Sequence, residues 1–158
     1  RDKWFRLGFE NSPLGYPTNG ERCYDGLNCY RDFERGTIYW YNGYFAYANY
    51  GQIAQKYREI GRNKSAMGYP KMDQVCGLAR GGCYQTMQGA NGSIYYSPKA
   101  GAHVLLGGIK GKWMQLGYEW GRLGYPTSDE YMISGGVRQD FEGGSITWKN
   151  GQAYESYR

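Results

Sequence analysis

The pattern Trp4-x2-Leu7-Gly8-x5-Leu14-Gly15-Tyr16-Pro17 returns as Tyr57-x2-Ile60-Gly61-x5-Met67-Gly68-Tyr69-Pro70 and again as Trp113-x2-Leu116-Gly117-x5-Leu123-Gly124-Tyr125-Pro126. Self-similarity at such a period is the mark of one small supersecondary unit stacked on copies of itself, so architecture and function must be read per unit. The motif prolines, Pro17, Pro70 and Pro126, lie 53 and then 56 positions apart in a chain of 158 residues. That spacing suits one repeat domain over 1–158, with units of approximately 1–50, 51–106 and 107–158.

Each unit opens on a short amphipathic helix. Ile53, Tyr57 and Ile60 stand at i, i+4 and i+7 and lead into Gly61, the residue that most easily takes the left-handed stop. Ile109, Trp113 and Leu116 before Gly117 repeat the arrangement, whereas the first copy begins inside its helix with Trp4 and Leu7 before Gly8. After each proline come short runs of alternating polarity, in the first copy near 22–24, 29–34, 37–41 and 44–48. Asn42-Gly43 and Asn150-Gly151 join the last two runs as type I′ hairpin turns, which need positive φ at both central residues. The expected fold is mainly β with short helices: three tandem repeats, each a short α-helix plus an antiparallel meander of about four strands.

Parity assigns the strand side chains. With Phe33, Ile38 and Trp40 directed inward, Asp32, Glu34 and Tyr39 face out; the second copy gives Met87, Ile94 and Tyr96 inward with Tyr95 out, and the third gives Phe141, Ile146 and Trp148 inward with Thr147 out. Tyrosine reaches 18 residues and glycine 26, so an aromatic core between tight turns is expected.

Four cysteines allow three pairings. Cys23 and Cys76 each lie six residues after their proline, with Cys29 and Cys83 close behind, so two local bridges, Cys23–Cys29 and Cys76–Cys83, are expected. Met132 and Val137 hold the matching positions of the third copy as an apolar pair across the same two strands. Two cysteines per unit, joined by no histidine, read as cross-strand staples rather than a metal site. Persistent disulfides place the working protein in an oxidising, extracellular, secreted or cell-wall setting.

Leu14-Gly15-Tyr16-Pro17 and Leu123-Gly124-Tyr125-Pro126, the steps Phe33-Gly36-Ile38 and Phe141-Gly144-Ile146, and Ala100-Gly101-Ala102-His103 ahead of Ile109 and Trp113 resemble the LGFP repeat. The likeness spans essentially the whole chain. Repeats of this kind occur in cell-envelope mycolyltransferases and wall hydrolases of mycolic-acid bacteria, as β-rich stalks beside a catalytic domain. The resemblance implies attachment to the peptidoglycan-arabinogalactan wall and a fused or partner catalytic domain. The chain departs from the family in having tyrosine for the motif phenylalanine in all three copies, and in its paired cysteines.

Nothing here assembles a catalytic apparatus. His103 is the one histidine, with no serine or cysteine nucleophile in a recognisable motif beside it. Asp32 with Glu34, and Asp140 with Glu142, share a strand face about 6.6 Å apart, near the separation of inverting glycosidases. The middle copy carries Thr86 and Gln88 there, as a solvated strand face would. A non-enzyme without cofactor or metal is expected.

The net charge of +5 suits an anionic polymer as well as simple solubility. The basic residues form no stripe of the kind that reads nucleic acid, and no apolar run of membrane-spanning length occurs. The functional expectation is therefore an extracytoplasmic carbohydrate or cell-wall polymer binding module with several weak sites. The candidates for stacking on sugar rings are the outward Tyr39 and Tyr95 together with aromatic residues that break the repeat, Tyr44, Tyr47, Tyr50 and Trp120. His103, Glu21 and Glu130 are the polar candidates. A structural stalk, a free-standing lectin-like protein and a secreted inhibitor are the alternatives.

Overall fold

The computed structural model describes residues 2–42 and 45–158. Among these, three α-helices alternate with three antiparallel sheets of four strands each. Helix α1 (Asp2–Leu7) precedes β1 (Arg22–Cys23), β2 (Cys29–Asp32), β3 (Gly36–Tyr41) and β4 (Phe45–Tyr50). Helix α2 (Gly51–Glu59) precedes β5 (Val75–Leu78), β6 (Gly82–Thr86), β7 (Ser93–Ser97) and β8 (Gly101–Leu105). Helix α3 (Gly107–Gln115) precedes β9 (Tyr131–Ile133), β10 (Gly136–Phe141), β11 (Gly144–Lys149) and β12 (Gln152–Tyr157). Every sheet is a simple meander, as the repeated pattern requires.

The helix ends follow the sequence. Gly8, Gly61 and Gly117 adopt φ of 99°, 101° and 104°, the left-handed stop read from the pattern. At the β11–β12 turn Asn150 and Gly151 take φ of 53° and 75°, the pair of positive angles that a type I′ hairpin needs. The matching Asn42-Gly43 turn lies partly outside the described residues, as does Tyr44.

The Leu-Gly-Tyr-Pro segment is an extra short strand folded onto its own sheet. Glu34 N–H donates to the Tyr16 carbonyl and Arg35 N–H to that of Leu14, each at 2.9 Å; Gln88 with Tyr69, Gly89 with Met67, Glu142 with Tyr125 and Gly143 with Leu123 repeat the two bonds. Pro17, Pro70 and Pro126 form bridges to Phe33, Met87 and Phe141. The leading apolar residue is driven into the core, where Leu14 and Leu123 are wholly buried. The helix aromatic then closes the motif, because Trp4 Nε1, Tyr57 Oη and Trp113 Nε1 donate to the carbonyls of Gly15, Gly68 and Gly124, 11 residues on in every copy.

Both disulfides are present, and each joins residues directly opposite one another on neighbouring strands. Met132 faces Val137 in the same register of the third sheet, so the apolar pair stands where the other two copies are stapled.

A candidate glycan surface at the junctions between sheets

Successive sheets are joined through the outer edge of each last strand. In β4, Ala48 N–H donates to Asp73 Oδ1 at 2.9 Å, the Ala48 carbonyl accepts from Gln74 N–H and Gln85 Nε2, and Tyr50 N–H donates to Gln74 Oε1. In β8, Val104 N–H donates to Asp129 Oδ1 at 2.8 Å and its carbonyl accepts from Gln139 Nε2. An open sheet edge would leave such groups unsatisfied, and the following repeat satisfies them with Asp73, Gln74 and Gln85 at the first junction and with Asp129 and Gln139 at the second. Lys3 of α1 pairs with Asp73, and Lys56 of α2 with Asp129 at 2.5 Å. Burial alone would raise the Asp129 pKa, but the adjacent His103 ring, the Lys56 ammonium and the hydrogen bond from the Val104 N–H outweigh it and hold the carboxyl at about 2.

The sheet faces join as well. Tyr39 of β3 meets Tyr57 of α2 edge-on with ring centroids 5.1 Å apart, and Tyr95 of β7 meets Trp113 of α3 at 4.7 Å. Parity placed both tyrosines outward, and with respect to their own sheets they do point away from the core. The correction is that the next helix covers that face, leaving Tyr39 only 1% and Tyr95 5% exposed. Alternation fixes which face a side chain takes, not what lies over it. Burial pushes both phenols well above their ordinary pKa. Thr147 stands at the same register of the third sheet, accepting from Arg138 Nε at 3.1 Å.

At the first junction the packing gathers a cluster of tyrosine rings, of which Tyr24 is exposed and Tyr30, Tyr41 and Tyr69 are half-buried. Tyr24 and Tyr30 lie 5.6 Å apart, Tyr24 and Tyr69 6.4 Å, and Tyr41 and Tyr69 5.2 Å between centroids. From the buried side the Arg62 guanidinium lies 4.3 Å from the Tyr30 ring, donates to Tyr39 Oη at 3.0 Å and pairs with Asp32 at 3.3 Å. The Lys64 ammonium stands 5.6 Å above Tyr24. Asp25 shapes the neighbouring turn by accepting from the N–H groups of Leu27 and Asn28. The result is a cradle of aromatic faces with a polar rim beside the Cys23–Cys29 staple.

The second junction closes the equivalent space. Tyr125, the counterpart of Tyr69, is 1% exposed, donates its hydroxyl to the Ala79 carbonyl and lies under Arg80, 5.2 Å from its centroid. Burial and the nearby Glu119 push its phenol up to about 12.

A comparison with known protein families matches the LGFP repeat over residues 14–65, 67–121 and 123–155. The chain belongs to the LGFP-repeat family. A search of curated proteins finds no match. The three LGFP matches begin at the buried Leu14, Met67 and Leu123, so the family motif coincides with the extra strand and its core anchor. Membership in the family is consistent with a cell-wall-associated, non-catalytic repeat module. Together with the two disulfides it is consistent with an extracellular or cell-wall protein. No helix among the described residues is long and apolar enough to cross a membrane.

The candidate residues read from this LGFP chain do not form one site. Trp120 is 77% exposed on a single 3-10 turn, Tyr118–Trp120. Tyr47 lies half-buried on β4, with its ring 6.4 Å from that of Phe45. Tyr50 is held by Gln74 and brings its hydroxyl to 3.4 Å from Cys76 Sγ. Glu21 is exposed beside the Cys23–Cys29 bridge, whose oxidised sulfurs offer no thiolate to a metal. His103 Nε2 donates to the Ala100 carbonyl at 2.7 Å while Nδ1 lies 3.6 Å from Asp129, which makes it part of the junction. Glu130 lines a hollow of about 320 Å³ with Asp129, Met67 and Leu106, where burial raises its pKa.

The paired carboxylates serve the architecture. Glu34 and Glu142 accept the N–H of Tyr16 and Tyr125 at 2.9 and 2.8 Å. Asp32 is taken up by Thr37, Asn19 and Arg62.

Tyr24, Tyr30, Tyr41 and Tyr69 were missed as a group. The usable signal was the shared parity of Tyr39 and Tyr41, with Tyr30 opposite Tyr39. The contribution of Tyr69 comes from the next repeat and has no local signature.

Proposed function

We propose that this LGFP-repeat chain is a cell-wall polymer binding module that engages glycan through the tyrosine cradle at its first junction. The observation that carries the reading is the cluster of Tyr24, Tyr30, Tyr41 and Tyr69, with neighbouring centroids 5.2–6.4 Å apart, while the corresponding Tyr125 is sealed. An aromatic cluster that reaches solvent at Tyr24, with three half-buried rings beside it and polar groups around it, suits an interaction surface. Tyrosine faces cover the apolar CH side of a sugar while the phenols and the Asp25, Asn28 and Lys64 rim serve its hydroxyls. The net positive charge adds attraction to an anionic wall polymer. Residues 1–158 act as one repeat domain in this reading, secreted or wall-held.

Co-sedimentation with isolated mycolic-acid wall polymer is the test. The native chain is expected to pellet at moderate salt, and Tyr41→Ala with Tyr69→Ala to release it while circular dichroism stays native. Native-like sedimentation of that double variant would remove the cradle from the reading.

A stalk function is favoured by a separate observation. The Tyr39–Tyr57 and Tyr95–Trp113 contacts and the Asp73 and Asp129 latches tie each repeat rigidly to the next, as a spacer holding a catalytic partner would require. Fusing the chain between two fluorophores and finding a single narrow transfer efficiency is its test.

A further inference from the structure

Two hollows meet at Glu130, on the internal junction between the second and third repeats. One, of about 320 Å³, has aliphatic walls from Ile60, Met67 and Val104; the other, of about 420 Å³, is walled by Ile109, Val137 and Trp148. Leu106 and Glu130 line both, so the two adjoin as one groove. Its size and mostly apolar lining, with a polar group set into it, are those of a small-molecule site. The Trp148 ring packs so closely on Gly108 that a Cβ there would stand 2.1 Å from it, which fixes the indole as a wall.

The first junction arranges the same positions differently. Tyr50 precedes α2 as Leu106 precedes α3, and Gln74 follows its proline by four as Glu130 does. Gln74 Oε1 accepts the Tyr50 N–H at 2.9 Å, and the Tyr50 hydroxyl reaches to 3.4 Å from Cys76 Sγ. That amide is satisfied within the chain. At the second junction leucine replaces the tyrosine and a carboxylate replaces the amide, and among the described residues the Glu130 carboxylate has no hydrogen-bond donor and no cation as partner. The neighbouring Asp129 is taken by Lys56 at 2.5 Å and by the Val104 N–H at 2.8 Å, with His103 Nδ1 3.6 Å away, so the Lys56 ammonium already has its counter-charge.

We infer that this groove binds a primary ammonium carried on a short unbranched aliphatic arm, the chemistry shared by a lysine side chain and a free alkylamine, with the ammonium on Glu130 and the arm against the apolar walls. A half-buried carboxylate without a counter-charge favours a cation over a neutral group. An ammonium brings three donors to it, and the methylenes leave water for the aliphatic lining. A sugar needs hydroxyl partners around its ring and matches such walls poorly, so the groove is a site distinct from the tyrosine cradle.

Amide chemical-shift titration of the 158-residue chain with n-pentylammonium chloride, beside 1-pentanol, tests the inference. The amine should bind saturably, with shifts centred on residues 106–108 and 130, and about tenfold or more tighter than the alcohol. Glu130→Gln, which installs the residue of the first junction, should weaken the amine about tenfold or more and leave the alcohol unchanged. Leu106→Tyr, on the same pattern, should fill the groove and block both, and circular dichroism verifies that each variant is folded. Nα-acetyl-lysine methylamide separates the two sources: affinity equal to or above that of pentylammonium assigns the groove to a peptide lysine, and lower affinity to a free amine. Absence of saturable amine binding up to about 10 mM would overturn the inference, as would equal affinity for amine and alcohol, shifts centred elsewhere, or full affinity in folded Glu130→Gln.

Discussion

Trp113 Nε1 donates to the carbonyl of Gly124 at 2.8 Å from a fully buried ring, and Tyr57 Oη does the same for Gly68 at 2.6 Å. The donor differs and the bond persists. This explains why the helix position alternates between tryptophan and tyrosine, the large aromatics that can donate.

Tyr57→Phe removes only the hydroxyl and leaves the Gly68 carbonyl without that partner. A loss of about 1–3 kcal/mol is expected, since an unmet buried acceptor costs more than a bond gains. Urea titration monitored by tryptophan fluorescence measures it; stability unchanged from the native chain would mean that the carbonyl is satisfied in another way.

Tyr95 belongs to one sheet but fills the core of the next repeat. Tyr95→Ala should cost about 3–4 kcal/mol, the scale of removing a buried aromatic, whereas Thr147→Ala at the matching register should stay within about 0.5 kcal/mol. Equal losses in parallel thermal melts would contradict the assignment of that face as the inter-repeat contact.

Asp129 gives the second junction an acid limit. Its folded pKa of about 2 lies below the ordinary 3.8, so its ionised form stabilises the fold fully above pH 4, and that contribution disappears as pH falls from about 4 toward 2. The difference in stability between the native chain and Asp129→Asn should therefore shrink across this window. A difference that stays constant from pH 6 to pH 2.5 in chemical denaturation would show that Asp129 titrates alike in both states.

Replacing Cys76 and Cys83 with serine should leave the fold intact and lower stability by about 2 kcal/mol, as expected for a closed loop this short. The third sheet already pairs Met132 with Val137 in the same register without a bridge. Loss of the β signal at room temperature after the double replacement would make the staple a requirement of folding.

Architecture was largely legible because the repeat stated it three times. Helix stops at glycine, the Asn150-Gly151 hairpin, the meanders and both disulfides depend on local backbone preference and on spacing within about ten residues, and such terms act identically in each copy. Even the latch carried a trace, since Asp73 and Asp129 both follow their proline by three. Gly20 at the first copy's matching position obscured it.

What the sequence determined by itself was the unit; what only the tertiary structure decided was how one unit covers the next. Tyr39, Tyr95 and Thr147 share one parity, and two are buried because a helix more than ten residues further along lies across them. Tyr16, Tyr69 and Tyr125 occupy one motif position yet range from 57% exposed, through half-buried, to 1% exposed. Periodicity records the direction of a side chain from its own backbone. Burial, charge pairing and access to a ligand depend on surfaces brought together by long-range packing, and no local pattern encodes them.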